Sequence, residues 1–113
     1  MSILSPKSTD TTTVAIGPTE TTIATYDTRF DKQIAVQITN LDAVQTFSGL
    51  IYIRQESDQT WALTTFSAEL DSVNPLESHL VVIPTLAVGQ VQIRGIMSDG
   101  GGNVSITSRR SST

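Results

Sequence analysis

Residues 32–40, KQIAVQITN, give the clearest alternation of apolar and polar side chains in the chain. Ile34, Val36 and Ile38 fall on one side of an extended backbone, while glutamine and threonine side chains punctuate the other. Successive side chains of a β-strand point to opposite faces, so this period of two predicts a strand with one face in a core and one in water.

Short runs with the same period follow along the chain, and most are bounded by Gly, Pro, Asn or Asp. They cover residues 11–17, 20–27, 47–55, 60–66, 79–84, 88–98 and 102–108. About eight or nine strands, spaced about ten residues apart, predict an all-β domain: a single antiparallel β-sandwich of jelly-roll or immunoglobulin-like type. No window has the period of a helix, and the best helical candidate, residues 66–73, is expected to form one short turn at most.

Two polar segments between these runs predict hairpin turns. Residues 56–59, ESDQ, are expected to join two strands, with the side chains of Ser57, Asp58 and Gln59 bonding to the backbone of the turn. Residues 98–103, SDGGGN, lack the lysine of a phosphate-binding loop and have too few oxygen ligands for a calcium loop. Their glycines and asparagine accept positive φ at little cost, which predicts a hairpin with an exposed tip.

The length and composition indicate one domain with short terminal segments. A chain of 113 residues matches one sandwich, and we expect an extended N-terminal arm at 1–10, the sandwich at 11–108 and a short tail at 109–113. The N-terminus lacks the pattern of a signal peptide and no apolar run is long enough to span a membrane, so we expect synthesis in a cytoplasm and no membrane partner. The absence of cysteine excludes disulfides and thiolate sites, and the net charge of -4 argues against a nucleic-acid partner.

The sequence contains no arrangement typical of a catalytic, cofactor or metal site. His79 is the single histidine and no G-x-S-x-G elbow is present, so neither a multi-histidine metal site nor a serine triad is predicted. We expect His79 to start a strand, with one ring nitrogen bonded to backbone or water. The aspartates are mostly scattered through turns, where Asp commonly bonds to its own backbone. No catalytic, cofactor-binding or metal-binding residue is assigned, and an enzyme is not expected.

Aromatic side chains offer one candidate binding surface. Trp61, together with Tyr26, Tyr52 and Phe66, could stack on a sugar, although packing in the core also accounts for aromatic residues.

The two termini offer a second set of candidates. Ile3 and Leu4 provide a small apolar anchor in the arm, and Arg109 and Arg110 could dock on an acidic neighbour.

The order of the segments resembles a known class of proteins. A threonine-rich start, TDTTTVAIGPTETTIATYDTR (9–29), precedes the strand segment KQIAVQITNLD (32–42). GLIYIRQESDQTW (49–61) then leads through a Ser-Asp turn to tryptophan, and VQIRG (91–95) precedes the glycine segment. From about residue 10 to 108 the chain resembles the small β-sandwich proteins on tailed-bacteriophage virions, in particular capsid decoration or cement proteins.

This resemblance implies a non-enzymatic structural protein of the virion. Such proteins bind the outside of an assembled capsid, often as trimers or dimers, and clamp neighbouring major capsid subunits. For this chain the resemblance implies a homo-oligomer, with a trimer favoured over a dimer, that is made in the host cytoplasm and lies on the capsid exterior without a cofactor. The candidate capsid or subunit contacts are then Ile3, Leu4, Arg109 and Arg110.

Other functions stay open at the level of the sequence. A carbohydrate-binding or receptor-binding sandwich is one alternative, and a head-fibre or tail component of the virion is another. A small enzyme is a third, for which the sequence offers no nameable site.

Overall fold

The computed structural model describes residues 6–85, 88–98 and 101–111, with side chains described from residue 11 onward. In these ranges the chain forms eight β-strands and one short 3-10 helix, Thr65–Leu70. The strands are β1 (Pro6–Ile16), β2 (Thr21–Asp27), β3 (Gln33–Asn40), β4 (Phe47–Arg54), β5 (Ala62–Leu63), β6 (Ser78–Pro84), β7 (Gln90–Met97) and β8 (Gly102–Ser111).

The strands form two four-stranded antiparallel sheets that pack face to face. The first sheet has the strand order β1-β8-β3-β6, and the second has the order β2-β7-β4-β5. Apart from β4 and β5, consecutive strands lie in different sheets, as in an eight-stranded jelly roll. The predicted all-β sandwich is therefore confirmed, and of the two expected types the jelly roll is the one observed.

The alternation in β3 places its apolar residues in the core. Ile34, Val36 and Ile38 are fully buried between the sheets, while Gln33 and Gln37 face solvent. Strands β4, β7 and β8 repeat the pattern from both sheets, contributing the buried residues Phe47, Ile51, Val91, Ile93, Met97, Val104 and Ile106. Period two thus identified the buried face of β3 correctly.

The hairpin predicted at residues 56–59 is confirmed. Strands β4 and β5 pair antiparallel, and the N–H of Gln59 donates to the carbonyl of Glu56 at 3.0 Å, as in a β-turn. The short helical turn expected after this hairpin is observed as the 3-10 helix Thr65–Leu70.

The hairpin predicted at residues 98–103 is wrong, because the two strands that it joins lie in different sheets. Strand β7 pairs with β2 and β4, whereas β8 pairs with β1 and β3. Gly101 has a φ of +84°, and a Cβ at this position would lie 2.7 Å from the carbonyl oxygen of Ile16. Backbone geometry therefore requires glycine at Gly101, while Asp99 and Gly100 lie outside the described residues.

Strand pairing extends further towards both termini than the alternation of apolar residues indicated. Strand β1 begins at Pro6, within the segment predicted as an arm, and β8 continues to Ser111, within the segment predicted as a tail. Pro6 lies opposite Ser111 in the first sheet. The difference arises because backbone hydrogen bonds extend a strand without requiring apolar side chains.

The two long sides of the sandwich are closed differently. On the side between β4 and β6, which we call the closed side, Phe47, Leu70 and Val73 are fully buried. Phe47 and Val73 exchange two backbone hydrogen bonds there, at 3.0 and 2.7 Å. On the side between the edge strands β1 and β2, which we call the open side, the sheets border a cleft.

Candidate functional site

The cleft on the open side has a volume of about 350 Å³, and we call it the inter-sheet cleft. Its wall combines apolar side chains, hydroxyl groups and one guanidinium, from Ile23, Ala24, Tyr26, Ile106, Thr12, Thr25, Ser108 and Arg110. This volume lies at the lower end of the range of small-molecule pockets.

Arg110 supplies the charge of the inter-sheet cleft and forms an ion pair with Asp31. Its Nη2 and Nε atoms lie 2.8 and 2.9 Å from Oδ2 of Asp31, and Nη2 also donates to the backbone carbonyl of Asp27. The Asp31 side chain is only 4% exposed, against 30% for Arg110. Because a buried carboxylate without a partner is costly, Arg110 stabilises the position of Asp31. Its guanidinium therefore binds an acidic group of its own chain.

A second, exposed ion pair lies beside the first. Nη2 of Arg29 lies 2.8 Å from Oδ2 of Asp27, and the Arg29 backbone N–H also donates to that carboxylate. The hydrogen bond from the Arg29 side chain, and then the one from its backbone, lower the pKa of Asp27. Asp27 is therefore ionised at neutral pH.

Arg109 lies on the opposite face of β8 from Arg110, since neighbouring side chains in a strand point to opposite faces. It borders a shallow depression of about 270 Å³ on the solvent face of the first sheet. We call this the outer-face depression; its lining is Ala35, Gln37, Leu80, Thr107 and Arg109. Leu80 is 57% exposed, so an aliphatic surface lies beside a cation, and arginine is enriched where proteins bind each other.

The structure separates the four candidate contact residues predicted at the termini. Arg109 and Arg110 lie on opposite faces of β8, one at the outer-face depression and one in the inter-sheet cleft. Ile3 and Leu4 lie outside the described residues. Of the two candidates that the structure describes, Arg109 is the one on a solvent-facing surface of a sheet.

Arginine side chains cover two of the aromatic rings proposed for sugar stacking. The guanidinium carbon of Arg54 lies 4.0 Å from the ring centroid of Trp61, and that of Arg94 lies 3.9 Å from the ring centroid of Tyr52. Desolvation, and then a hydrogen bond to Glu20, raise the pKa of the Tyr52 hydroxyl. One face of each ring is thus occupied within the chain.

The four proposed aromatic residues are not brought together. Tyr26 lines the inter-sheet cleft, whereas Phe66 belongs to the 3-10 helix and packs against the core. Trp61 is half-buried at the hairpin between β4 and β5. Core packing and arginine stacking account for these side chains without a shared platform.

His79 lies where the sequence predicted it, at the start of a strand, as the second residue of β6. Its Nδ1 atom lies 3.2 Å from the carbonyl oxygen of Glu69, which confirms the expected bond to the backbone. Across residues 6–85, 88–98 and 101–111, no group of three His, Cys, Asp or Glu side chains is placed to hold a metal ion. The same part of the chain contains no helix long and apolar enough to cross a membrane.

Sequence reasoning missed the ion pair between Asp31 and Arg110. A signal for it was present: the alternation that buries Val104 and Ile106 continues through Ser108 to Arg110, so Arg110 points inward. The position of Asp31 opposite that side chain required the first sheet to be assembled, because residues 31 and 110 are far apart in the sequence.

Comparisons with known proteins establish the fold. No protein-family model and no curated protein sequence matches this chain. The crystal structure of the SPBc2 prophage-derived protein YomS is similar, with a TM-score of 0.56 at 11% identity, over 94% of this chain and 96% of that chain. The structure of IMPa from Pseudomonas aeruginosa in complex with an O-glycopeptide is similar with a TM-score of 0.52 at 14% identity, over 99% of this chain but only 13% of IMPa. A weaker likeness, with a TM-score of 0.47 at 14% identity, links 96% of this chain to 29% of a chain in the infectious bursal disease virus Gt strain.

Proposed function

We propose that this chain is a structural protein of a phage virion, which binds the outer surface of the assembled capsid and stabilises it by bridging neighbouring major capsid subunits. One observation carries the proposal. The jelly roll accounts for nearly the whole chain, and a prophage-derived protein of similar fold matches it almost from end to end, over 94% of this chain and 96% of that one. This function requires surfaces for binding rather than a catalytic site.

The solvent face of the first sheet is the proposed docking surface for capsid subunits. Leu80 and Val82 are 57% and 47% exposed on it, and Arg109 borders the depression beside Leu80. Exposed aliphatic side chains next to arginine are typical of surfaces that bind proteins. A homo-oligomer presents this surface in several copies, so weak contacts add up when they engage a repeating lattice together.

The arm supplies the proposed second contact. Ile3 and Leu4 are aliphatic residues that precede β1 in the sequence, and they lie outside the described residues. Exposed aliphatic side chains are commonly used to bind a neighbouring protein. We therefore assign Ile3 and Leu4 a role in holding the protein on the lattice.

Co-sedimentation with capsids tests the proposal directly. We expect saturable binding to assembled empty capsids of the cognate phage and little binding to the unassembled capsid protein. The double variant Ile3→Ser/Leu4→Ser should reduce the capsid-bound fraction about tenfold or more, because a multivalent attachment loses one contact in every copy. Val44→Ser, at a side chain that is 79% exposed elsewhere, is the matched control and should bind like the parent chain. Equal binding to assembled and free capsid protein, or none to either, contradicts the proposal.

Electron microscopy of virus particles distinguishes capsid decoration from a role in a head fibre or in the tail. Density on the capsid faces that disappears when the gene is deleted supports decoration, whereas density on fibres or on the tail assigns the chain to those parts. A glycan titration addresses the carbohydrate-binding alternative, which predicts binding that Trp61→Ala abolishes. The geometry favours decoration over sugar binding because Arg54 already stacks on Trp61.

A further inference from the structure

Strand β6 forms a free edge of the first sheet, and its chemistry differs from that of the other edges. Within the described part of the chain, β6 has β3 as its sole neighbour in the sheet order. The N–H of Thr85 donates to the backbone carbonyl of Lys32, and the N–H of Asn40 donates to the backbone carbonyl of Glu77. Because hydrogen bonding alternates along an antiparallel strand, the odd-numbered residues of β6 bond to β3. The amides and carbonyls of Ser78, Leu80 and Val82 therefore point away from the sheet.

The other three edge strands carry features that discourage pairing with another chain. Strand β1 contains Lys7 and Asp10 and has a register shift after Pro6, and β2 has a register shift between Thr22 and Ala24. Strand β5 has only two residues. Charges, bulges and short length are the devices by which proteins block edge-to-edge association.

Strand β6 has no charged residue and no register shift; the 3-10 helix packs beside it, and its one edge-blocking residue is Pro84 at its end. It spans seven residues, SHLVVIP, without Asp, Glu, Lys or Arg, and its ladder with β3 runs without a register shift. The side chain of His79 points inward, where its Nδ1 atom bonds to the backbone carbonyl of Glu69. Leu80 and Val82 are 57% and 47% exposed, and Leu76, just before the strand, is 68% exposed. An uncharged apolar edge with unpaired amides is a template for an added strand.

We propose that two copies of this chain associate through β6, with the two β6 strands antiparallel about a two-fold axis that places Leu80 opposite Leu80 of the second copy. In this register Val82 lies opposite Ser78 of the other copy. All three facing positions have an N–H and a carbonyl directed outward, so the ladder is complete on both sides. Pro84, which has no N–H to donate, falls beyond the ladder at each end.

A second copy is the occupant because the edge is complementary to itself. A two-fold axis brings the same uncharged strand to both sides, so no like charges meet within it, and aliphatic side chains face aliphatic side chains across the axis. Leu76 of each copy comes near the Pro84 end of the other in this register. The first sheet of one copy and the first sheet of the other become one continuous sheet. The outer-face depressions of the two copies then lie on the same surface. This selects the dimer over the trimer that the family resemblance favours.

The expected association is reversible. A seven-residue edge pair buries less area than a standard interface of about 1,600 Å². Light scattering at increasing concentration should therefore show the mass rising from the 12.1 kDa of one chain towards twice that value.

Single-cysteine cross-linking tests the register, since the chain contains no cysteine of its own. Residues facing each other in a hydrogen-bonded antiparallel pair have Cα atoms about 5.5 Å apart, within the range of a disulfide. Leu80→Cys should therefore form a covalent dimer under mild oxidation. Two control variants should form at least about tenfold less covalent dimer. Leu63→Cys is at a leucine of matching 59% exposure on β5. Val82→Cys is far from Val82 of the second copy, because Val82 faces Ser78 in this register.

Edge-blocking variants test the association itself. Leu80→Lys places like charges opposite each other, and Leu80→Pro removes an outward N–H while leaving the ladder with β3 intact; each should weaken the dimer about tenfold or more. Leu63→Lys is the control and should dimerise like the parent chain. Far-UV circular dichroism confirms folding of each variant. A mass of one chain at every concentration, or equal cross-linking of Leu80→Cys and Leu63→Cys, overturns the proposal. These measurements use the free protein, so their outcome is independent of whether it binds capsids.

Discussion

The closed and open sides of the sandwich reach stability by different means. On the closed side the 3-10 helix brings Leu70 against β4, and Phe47, Leu70 and Val73 are fully buried. On the open side the sheets border a cleft lined by hydroxyl side chains and by Arg110, which forms an ion pair with Asp31. Apolar burial is non-directional, whereas a partly buried ion pair depends on both partners being in place. The two sides should therefore respond differently to truncation, to double substitution and to pH.

Phe47→Ala should give the largest effect. Phe47 is fully buried, and a Cβ on Gly95 of the neighbouring strand β7 would lie 2.3 Å from its ring, which shows how little space surrounds the ring. We expect a loss of about 3–5 kcal/mol in the free energy of unfolding, measured by urea denaturation, because the substitution leaves a cavity. Phe30→Ala, at a ring that is 79% exposed, should change the stability little. Similar losses for both variants would contradict the description of the closed side.

Arg110→Met should destabilise the open side by a smaller amount. The substitution leaves the carboxylate of Asp31, which is 4% exposed, without its partner. We expect a loss of about 1–3 kcal/mol, below the values for deeply buried pairs because Arg110 is itself partly exposed. The double variant Arg110→Met/Asp31→Asn should recover part of this loss, since no unpaired charge is left. Strictly additive effects in the same urea titration would show that the two side chains are not coupled.

Gly101→Ala tests the connection that carries the chain from the second sheet to β8. Gly101 has a φ of +84°, and a new Cβ would lie 2.7 Å from the carbonyl oxygen of Ile16 on β1. We expect a loss of about 1–2 kcal/mol, seen as a lower Tm. Gly17→Ala is a matched control, because a Cβ there would have no atom within 4 Å. An unchanged Tm for Gly101→Ala would mean that the loop relaxes without strain.

Asp27→Asn should give the smallest effect, and one that depends on pH. The bonds from Arg29 lower the pKa of Asp27 below its ordinary value of 3.8, so its contribution is present above that value and is lost as the pH falls through the pKa of the folded state. The Tm difference between parent and variant should therefore be small at pH 7. It should disappear at a pH below 3.8, as Asp27 becomes protonated in the folded state. Asp58→Asn, which removes one negative charge from the hairpin between β4 and β5, controls for net charge. A difference that grows on acidification would contradict this assignment.

Residues near each other in sequence were predicted well, and partners distant in sequence were not. The buried face of β3 followed from Ile34, Val36 and Ile38, because the alternation of a strand is a local property. The segment SDGGGN was misassigned as a hairpin because the same alternation says nothing about which strand is the neighbour. Its glycine requirement was correct in kind, since positive φ at Gly101 is also local.

The candidate surfaces follow the same division. In the sequence, Arg109 and Arg110 are simply two adjacent arginines. Because side chains alternate along β8, the structure places them on opposite faces of the sheet. Only the pairing of β8 with β3 and β1 brings Arg110 to Asp31, or Arg109 to Leu80. The free edge of β6 could not be recognised from SHLVVIP, because the same residues would suit a central strand.

By itself, the sequence determined that this protein is an all-β sandwich, that Ile34, Val36 and Ile38 of β3 face its core, and that a turn falls at residues 56–59. These properties depend on side-chain alternation and on local φ preferences. Only the tertiary structure decided the jelly-roll order of the strands, the closed and open sides, and the exposed edge at β6. Those features depend on which distant segments pair, and pairing is decided by the packing of both sheets around one core rather than by any single stretch of sequence.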